Sequence, residues 1–231
     1  MKFKDFEEIL SHSRMKRYVD ACDGDTRKAM TLYRLNLHLS QDMFTVISCF
    51  EVALRNAIDK KLSSNLGADW LRDSQQNGGI FDNVQCQRTR NIIRYAYNKR
   101  NYLGTYTNDG LLSDMDFGVW KYMFAPNEYR ATGRVLLRIF PNKPRSSAAM
   151  QYNNSYMFNE LDGVNKIRNR MAHHEPICFM LGLPEIDTSY VLNQYLRIQN
   201  LFSWMGVDAR GLLYGLDHVL TVCNEINKLK K

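Results

Sequence analysis

Apolar residues recur at helical spacing along almost the whole chain. Phe3, Phe6 and Leu10 predict a short first helix. Asp25 is placed to cap a segment carrying Met30, Tyr33 and Leu37, and Ser40 to cap another that runs to about Leu66, with Gly67 just past its end. A short turn at Trp70-Leu71 leads into Ser74-Gln75-Gln76-Asn77-Gly78-Gly79, the clearest loop in the chain. Helical patterns follow at about 84–101, 111–123 and 127–139, and Pro141-Asn142-Lys143-Pro144 then breaks the chain. A longer helix is predicted from about Ser147 to His174, loosened at Asp162-Gly163, with two more over Thr188 to Trp204 and Asp208 to Leu229. No run of strands appears, so the expected fold class is all-α. The expected organisation is a single domain over residues 1–231: a helical bundle with its core at about 1–73 and 147–231, and a basic helical insertion at about 74–146.

One helix interrupts its own pattern. Phe44, Ile47, Leu54, Ile58 and Leu62 form an apolar stripe, Glu51 lies inside it, and Arg55 lies at its edge one turn later. A carboxylate facing a core is costly unless paired. Two readings follow: a snorkelling Glu51–Arg55 pair, or a Glu51 that orients an active-site group from another helix.

Composition narrows the classes. Hydrophobic residues make up 45% of the 231 and charged residues 24%, enough for a sizeable core. No apolar run approaches the roughly 20 residues that cross a bilayer. Asp5, Glu7 and Glu8 stand where a signal peptide needs an apolar stretch, so a cytoplasmic protein without a membrane partner is expected. Cys22, Cys49, Cys86, Cys178 and Cys223 are odd in number, scattered and free of Cys-x-x-Cys pairs, which favours reduced thiols over disulfides or a thiolate metal site.

The net charge is +7, and its distribution says more than its size. No acid falls between Asn83 and Asn108, where Arg88, Arg90, Arg94, Lys99 and Arg100 interleave with Tyr95, Tyr97, Tyr102 and Tyr106. Acids vanish again between Tyr129 and Asn159, where Arg130, Arg134, Arg138, Lys143 and Arg145 appear. Arg130, Arg134 and Arg138 are four apart and predict one ridge of a helix. Cations with aromatics between them can hold phosphates and stack on unpaired bases, which makes RNA the expected partner; a solvated helix face is the competing reading.

The densest chemistry lies in Ile167-Arg168-Asn169-Arg170-Met171-Ala172-His173-His174-Glu175-Pro176. Pro176 disfavours helix before it, so the helix should end near His174, with both histidines beside its unsatisfied carbonyls. Arginine offers fixed charge for a phosphate and histidine a proton near neutral pH. The competing reading is a basic last turn that merely complements the helix dipole. Adjacent histidines point about 100° apart on a helix and cannot readily share one ion, and His12, His38 and His218 are isolated, so no metal is expected. No phosphate-binding glycine loop, serine elbow or dinucleotide fingerprint is present, and no cofactor is expected. RNA carries its own nucleophile in the 2′-hydroxyl, so the residues suffice for metal-independent cleavage to a 2′,3′-cyclic phosphate. On a straight helix Arg168 and His173 are about 140° apart. They converge only if the helix unwinds before Pro176 or if two copies of it meet in a symmetric dimer.

These residues carry a resemblance. Arg168-Asn169 followed by His173 resembles the Arg-x(4–6)-His motif of HEPN-domain proteins. The string Ile-Arg-Asn-Arg-Met-Ala-His-His-Glu-Pro-Ile at 167–177 resembles the Arg-Asn-x-x-Ala-His-His signature of the Abi-like abortive-infection family. Phe50-Glu51-Val52-Ala53-Leu54-Arg55-Asn56-Ala57-Ile58 and Phe117-Gly118-Val119-Trp120 are similar to that family in kind and order, so the resemblance spans most of the chain. It implies a HEPN-like helical bundle, homodimerisation through the Arg168–His173 helix, and metal-independent endoribonuclease activity in bacterial antiphage defence. By position Arg168 and His173 are the catalytic pair, Asn169 a supporting polar residue and His174 a second candidate. It also implies that some relatives work with a structured non-coding RNA as a ribonucleoprotein. Glu175 stands where small HEPN toxins often carry a tyrosine, and no role of that tyrosine transfers.

Overall fold

The computed structural model describes residues 1–230, and the all-α expectation holds: twelve α-helices and two 3₁₀ turns are joined by loops, with no strand among the described residues. In chain order the helices are α1 (Phe3–Leu10), α2 (His12–Ala21), α3 (Thr26–Leu66), α4 (Trp70–Ser74), α5 (Gln87–Tyr102), α6 (Asn108–Ser113), α7 (Phe117–Tyr122), α8 (Pro126–Ala131), α9 (Asn154–Ala172), α10 (Ser189–Met205), α11 (Ala209–Leu212) and α12 (Val219–Asn227). They form two compact units. One comprises Met1–Ser48, Lys166–Asn200 and the chain from Ala209 onward; the other comprises Cys49–Asn165 and Leu201–Asp208. No helix among the described residues is long and apolar enough to cross a membrane.

Local hydrogen bonding explains where the helices stop and start. Asp25 caps α3 as expected, its Oδ1 accepting from the Arg27 and Lys28 amides at 2.9 and 3.0 Å. Those bonds favour the ionised carboxyl and hold it below the usual carboxylate range. Ser40 does not start a second helix: α3 continues unbroken for 41 residues, and the Ser40 hydroxyl donates back to the Asn36 carbonyl at 2.9 Å. Gly67 ends α3 with φ +100°, a conformation that suits glycine.

The pattern at 127–139 is interrupted. Gly133 lies in the left-handed region at the end of α8, its amide bonding the Arg130 carbonyl while the Arg134 amide reaches Tyr129. A separate 3₁₀ turn then covers Leu136–Ile139. The expected 111–123 helix likewise splits, because Asp116 caps α7 by accepting from the Val119 amide at 3.1 Å. Asp208 to Leu229 splits into α11 and α12 around Gly215 and Asp217. α9 starts at Asn154 rather than near Ser147, since the Ser146 and Ser147 hydroxyls accept from the Tyr152 and Met150 amides and hold that stretch in a turn. Asp162-Gly163 does not break it.

The first unit is organised by a chain of rings. Phe6 meets Tyr33 at 5.4 Å, Tyr33 meets Tyr18 at 5.2 Å, and Tyr18 meets Phe179 at 5.0 Å, all edge to face. Buried Asn36 on α3 accepts from the Ile177 and Cys178 amides at 2.9 and 3.3 Å, fixing the segment that follows α9. In the second unit Phe50 packs on Phe117 and Phe202, and Trp70 donates to Asp59 at 2.8 Å. Lys121, only 7% exposed, pairs with Asp162 at 2.9 Å and lies over the Tyr122 and Phe158 rings.

The end of α9 positions the candidate site. His174 sits at φ +56°, its amide bonds Met171, and the Glu175 amide bonds Arg170 at 2.8 Å. That is the paired closure most often built with glycine at the left-handed position.

Two stability outcomes follow. Replacing His174 by glycine should relieve the left-handed strain and raise the urea midpoint, by about 1 kcal/mol of stability; an unchanged or lower midpoint contradicts this. Asp162→Ala, which strands a buried ammonium, should cost about 3 kcal/mol, and Lys121→Met clearly less because Asp162 keeps contact with water. Equal losses in the same titration would show that the pair is not held by burial of the lysine.

Candidate functional site

The motif residues divide by environment. α9 stays helical to Ala172 and the His173 amide still bonds the Asn169 carbonyl at 3.0 Å, so the segment does not unwind between Arg168 and His173. Within one chain the two therefore stay on different faces of the helix. Arg168 is half-buried and makes no hydrogen bond or ion pair among the described residues. Asn169 is exposed.

Arg170 behaves differently. Its guanidinium lies 5.0 Å from the Tyr190 ring, donates to the Pro176 carbonyl at 2.8 Å and reaches Glu175 at 3.2 Å. It is a structural clamp across the end of α9.

His173 and His174 are exposed and line one open cleft of about 370 Å³. Facing them are Ser11, Ser13, Arg14 and Arg17 from α2 and the residue that precedes it. Arg14 donates to the His174 carbonyl at 3.0 Å, satisfying an orphan acceptor past the helix end. Arg17 donates to the Met180 and Leu183 carbonyls at 3.2 and 2.8 Å and covers the Phe179 ring at 4.7 Å. A second cleft, of about 300 Å³, shares Arg14, His174 and Glu175 and continues along Tyr33 and Asn36. The cleft thus gathers two histidines, two guanidinium groups and two serine hydroxyls, a set able to hold a phosphate and move protons beside it. Arg168 does not line it.

The sequence pattern pointed to the histidines but not to Arg14 or Arg17. Met15 and Tyr18, both buried, carry the helical spacing of α2, and Ser11 caps it by accepting from the Arg14 amide at 3.3 Å. Those features could have revealed the helix. Nothing local could have shown that it faces residue 174.

Glu51 is half-buried and belongs to the second unit, whereas Arg168–His174 belong to the first. The buried stripe of α3 runs through Met43, Ile47, Phe50, Leu54, Ile58 and Leu62, so Phe50 takes the place that Glu51 was read to occupy, and Phe44 is exposed.

The basic residues also separate. Arg90 donates to the Gln75 carbonyl at 2.8 Å and to Asn77 at 3.0 Å, and pairs with Asp82. Arg94 holds the same Gln75 carbonyl at 2.8 Å. Arg100 makes a two-pronged pair with Asp114 at 2.5 and 2.8 Å, which holds that carboxyl below the usual range. These three arginines tie the 74–82 loop and the end of α6 to α5. Arg88 and Lys99 remain exposed, as do Arg130, Arg134, Arg138 and Arg145, with Lys143 half-buried. The expected ridge of Arg130, Arg134 and Arg138 does not form, because Gly133 ends α8 between them. Among the described residues no three His, Cys, Asp or Glu side chains cluster as metal ligands would.

No curated protein and no solved structure matches the chain. The family model for Abi-like proteins matches residues 2–178, a span that contains the Glu51 helix, the basic segments and the whole of Arg168–Pro176. The chain belongs to the Abi-like protein family, whose name ties it to abortive infection.

Proposed function

We propose that the protein is a metal-independent endoribonuclease of the HEPN type, acting as a homodimer in the bacterial cytoplasm during abortive infection. The observation that carries this reading is the contrast between two neighbouring arginines. Arg170 is engaged in closing α9 through Nε and Nη2, with Nη1 buried and unbonded, whereas the side chain of Arg168, two residues away, is half-buried and bonds nothing among the described residues. A guanidinium that no group of the chain engages, and that still reaches solvent, is available for a phosphate. The exposed His173 and His174 supply proton transfer.

Because Arg168 and His173 diverge within one chain, the catalytic pair is completed by a second copy, each helix end contributing to a shared site. In the reaction the 2′-oxygen attacks phosphorus and loses its proton to a basic group. The phosphorus–O5′ bond breaks, and the leaving oxygen takes a proton. Arg168 neutralises the charge that builds on the phosphoryl oxygens, and Asn169 supports it. His173 is the proton-transfer group by motif position, with His174 in the same cleft as the alternative. Arg14 and Arg17 line that cleft and, while bonded to backbone carbonyls, add positive charge beside the flanking phosphate. Glu51 has no step in this scheme.

A second reading has its own support. Tyr95, Lys99 and Tyr102 share one face of α5, and the tyrosines are 75% and 90% exposed. Exposed rings beside a free ammonium suit stacking on unpaired bases, as in a ribonucleoprotein built on a structured non-coding RNA.

The two are separated by one set of variants. With excess chelator and single-stranded RNA, Arg168→Ala and His173→Ala should each lower cleavage by roughly a hundredfold or more while leaving the melting curve in place. DNA of the same sequence should resist. Cleavage that persists in both variants, or that stops with chelator alone, would sink the nuclease reading. Tight, salt-sensitive RNA retention without cleavage, lost in a Tyr95→Ala, Lys99→Ala, Tyr102→Ala variant, would establish the second.

A further inference from the structure

Away from the motif, the second unit holds a cleft of about 290 Å³ between α5, α7 and α8. Gln85, Asn127 and Asp116 are among its polar lining, and its buried carboxyl is Glu128, only 5% exposed. Thr89 donates to Glu128 Oε1 at 2.8 Å. Oε2 accepts no hydrogen bond among the described residues and is not sealed from solvent. A carboxylate offers about four lone-pair positions, so one threonine leaves both oxygens able to accept from a ligand. A carboxyl buried to this degree meets solvent only through the cleft, and a donor pair arriving there would complete its bonding.

The surrounding side chains narrow the ligand. Ile92 and Val119 supply apolar wall. Arg88 also lines the cleft, exposed to solvent, its guanidinium 5.4 Å from the Tyr122 ring. A planar cation of this kind stacks on a base or meets its phosphate. The other acid in the cleft, Asp116, already spends Oδ1 on capping α7.

From this arrangement we infer that the cleft binds a single unpaired guanine, read by Glu128. Guanine alone among the four RNA bases places two donors, N1–H and the N2 amine, side by side on its Watson–Crick edge, matching the two oxygens of one carboxylate. Adenine and cytosine each set an acceptor nitrogen beside their amine, which a carboxylate repels. Uracil flanks its one N–H with two carbonyls.

This assignment rests on the protein acting on RNA. It adds a base-reading site to a chemistry that otherwise touches only the backbone.

The test is fluorescence anisotropy with uridine heptamers carrying one central guanosine, inosine or adenosine, using full-length His173→Ala protein so that the RNA stays intact. Guanosine should bind about tenfold or more tighter than adenosine, with inosine, which lacks the N2 amine, in between. Glu128→Gln keeps an oxygen for Thr89 but presents an amide to the base, and should erase the preference with its melting curve unchanged. Arg88→Ala, at an exposed position, should weaken all three RNAs alike. RNA bound without guanine preference, or a preference that survives Glu128→Gln, overturns the cleft and leaves the nuclease reading standing. If no RNA binds, titration with GMP and AMP decides: selective GMP binding keeps the cleft and removes the RNA reading, and binding of neither or both alike overturns the cleft.

Discussion

The C-terminal end of α9 is the constraint on which the candidate site depends. Any helix end leaves carbonyls without intrahelical partners, and Pro176 removes one amide that might have served them. This chain answers with groups next to the helix end and with two from far along the sequence, Arg14 and Asn36. The His174 and Glu175 amides fold back onto Met171 and Arg170, the Arg170 guanidinium takes the Pro176 carbonyl, Arg14 takes the His174 carbonyl, and Asn36 receives the Ile177 and Cys178 amides. Once these are made, the positions of both histidines follow from the backbone rather than from contacts of their own rings. The same closure keeps α9 helical past Arg168, which holds Arg168 and His173 apart within the chain.

A second consequence concerns charge. A net +7 suggests a broad cationic surface, but many of the cations are already engaged. Arg14, Arg17 and Arg170 hold carbonyls, Arg90 and Arg94 hold one loop, Arg100 holds Asp114, and Lys121 is buried against Asp162. Arginine suits such work because its planar fork satisfies several acceptors at once. The residues left for a polyanion are fewer and differently placed than the sequence suggested. Interleaving with tyrosine therefore had two meanings in α5. At Arg90 and Arg94 it marked arginines turned toward a loop, and at Lys99 it marked a cation between two exposed rings.

What could be read in advance follows the range of the interactions. The helical class, the Asp25 cap, the glycine at 67, the loop at 74–79 and the break at Pro141–Pro144 depend on residues a few places apart, and they were legible. Ser40 was misread because a serine that caps a helix and one that donates back to the residue four before it look alike in sequence; only the continuity of α3 separates them. The breaks at Gly133 and Asp116 were hidden by apolar spacing that carries across them. The early start assigned to α9 failed for a related reason, since Ser146 and Ser147 hold their neighbours in a turn that the apolar pattern does not register. In the candidate site the histidines were visible as a motif, whereas Arg14 and Arg17 were not, because 160 residues separate Arg14 from the carbonyl it holds.

The two sites would divide one task. Attack by a 2′-oxygen needs groups that act on phosphate and proton, and every residue in the proposed reaction does that, from Arg168 and His173 to Arg14. None of them distinguishes one base from another, so such a site alone would cut wherever an RNA strand is free. Phosphate contacts position a nucleic acid, and base contacts specify it. Glu128 is suited to the second role because its carboxylate accepts from a base edge that presents two donors and repels one that sets an acceptor against it. That makes the wrong base unfavourable rather than merely less favourable. If the proposed cleavage is indiscriminate, selectivity would come from such a group, carried by α5, α7 and α8 rather than by the end of α9.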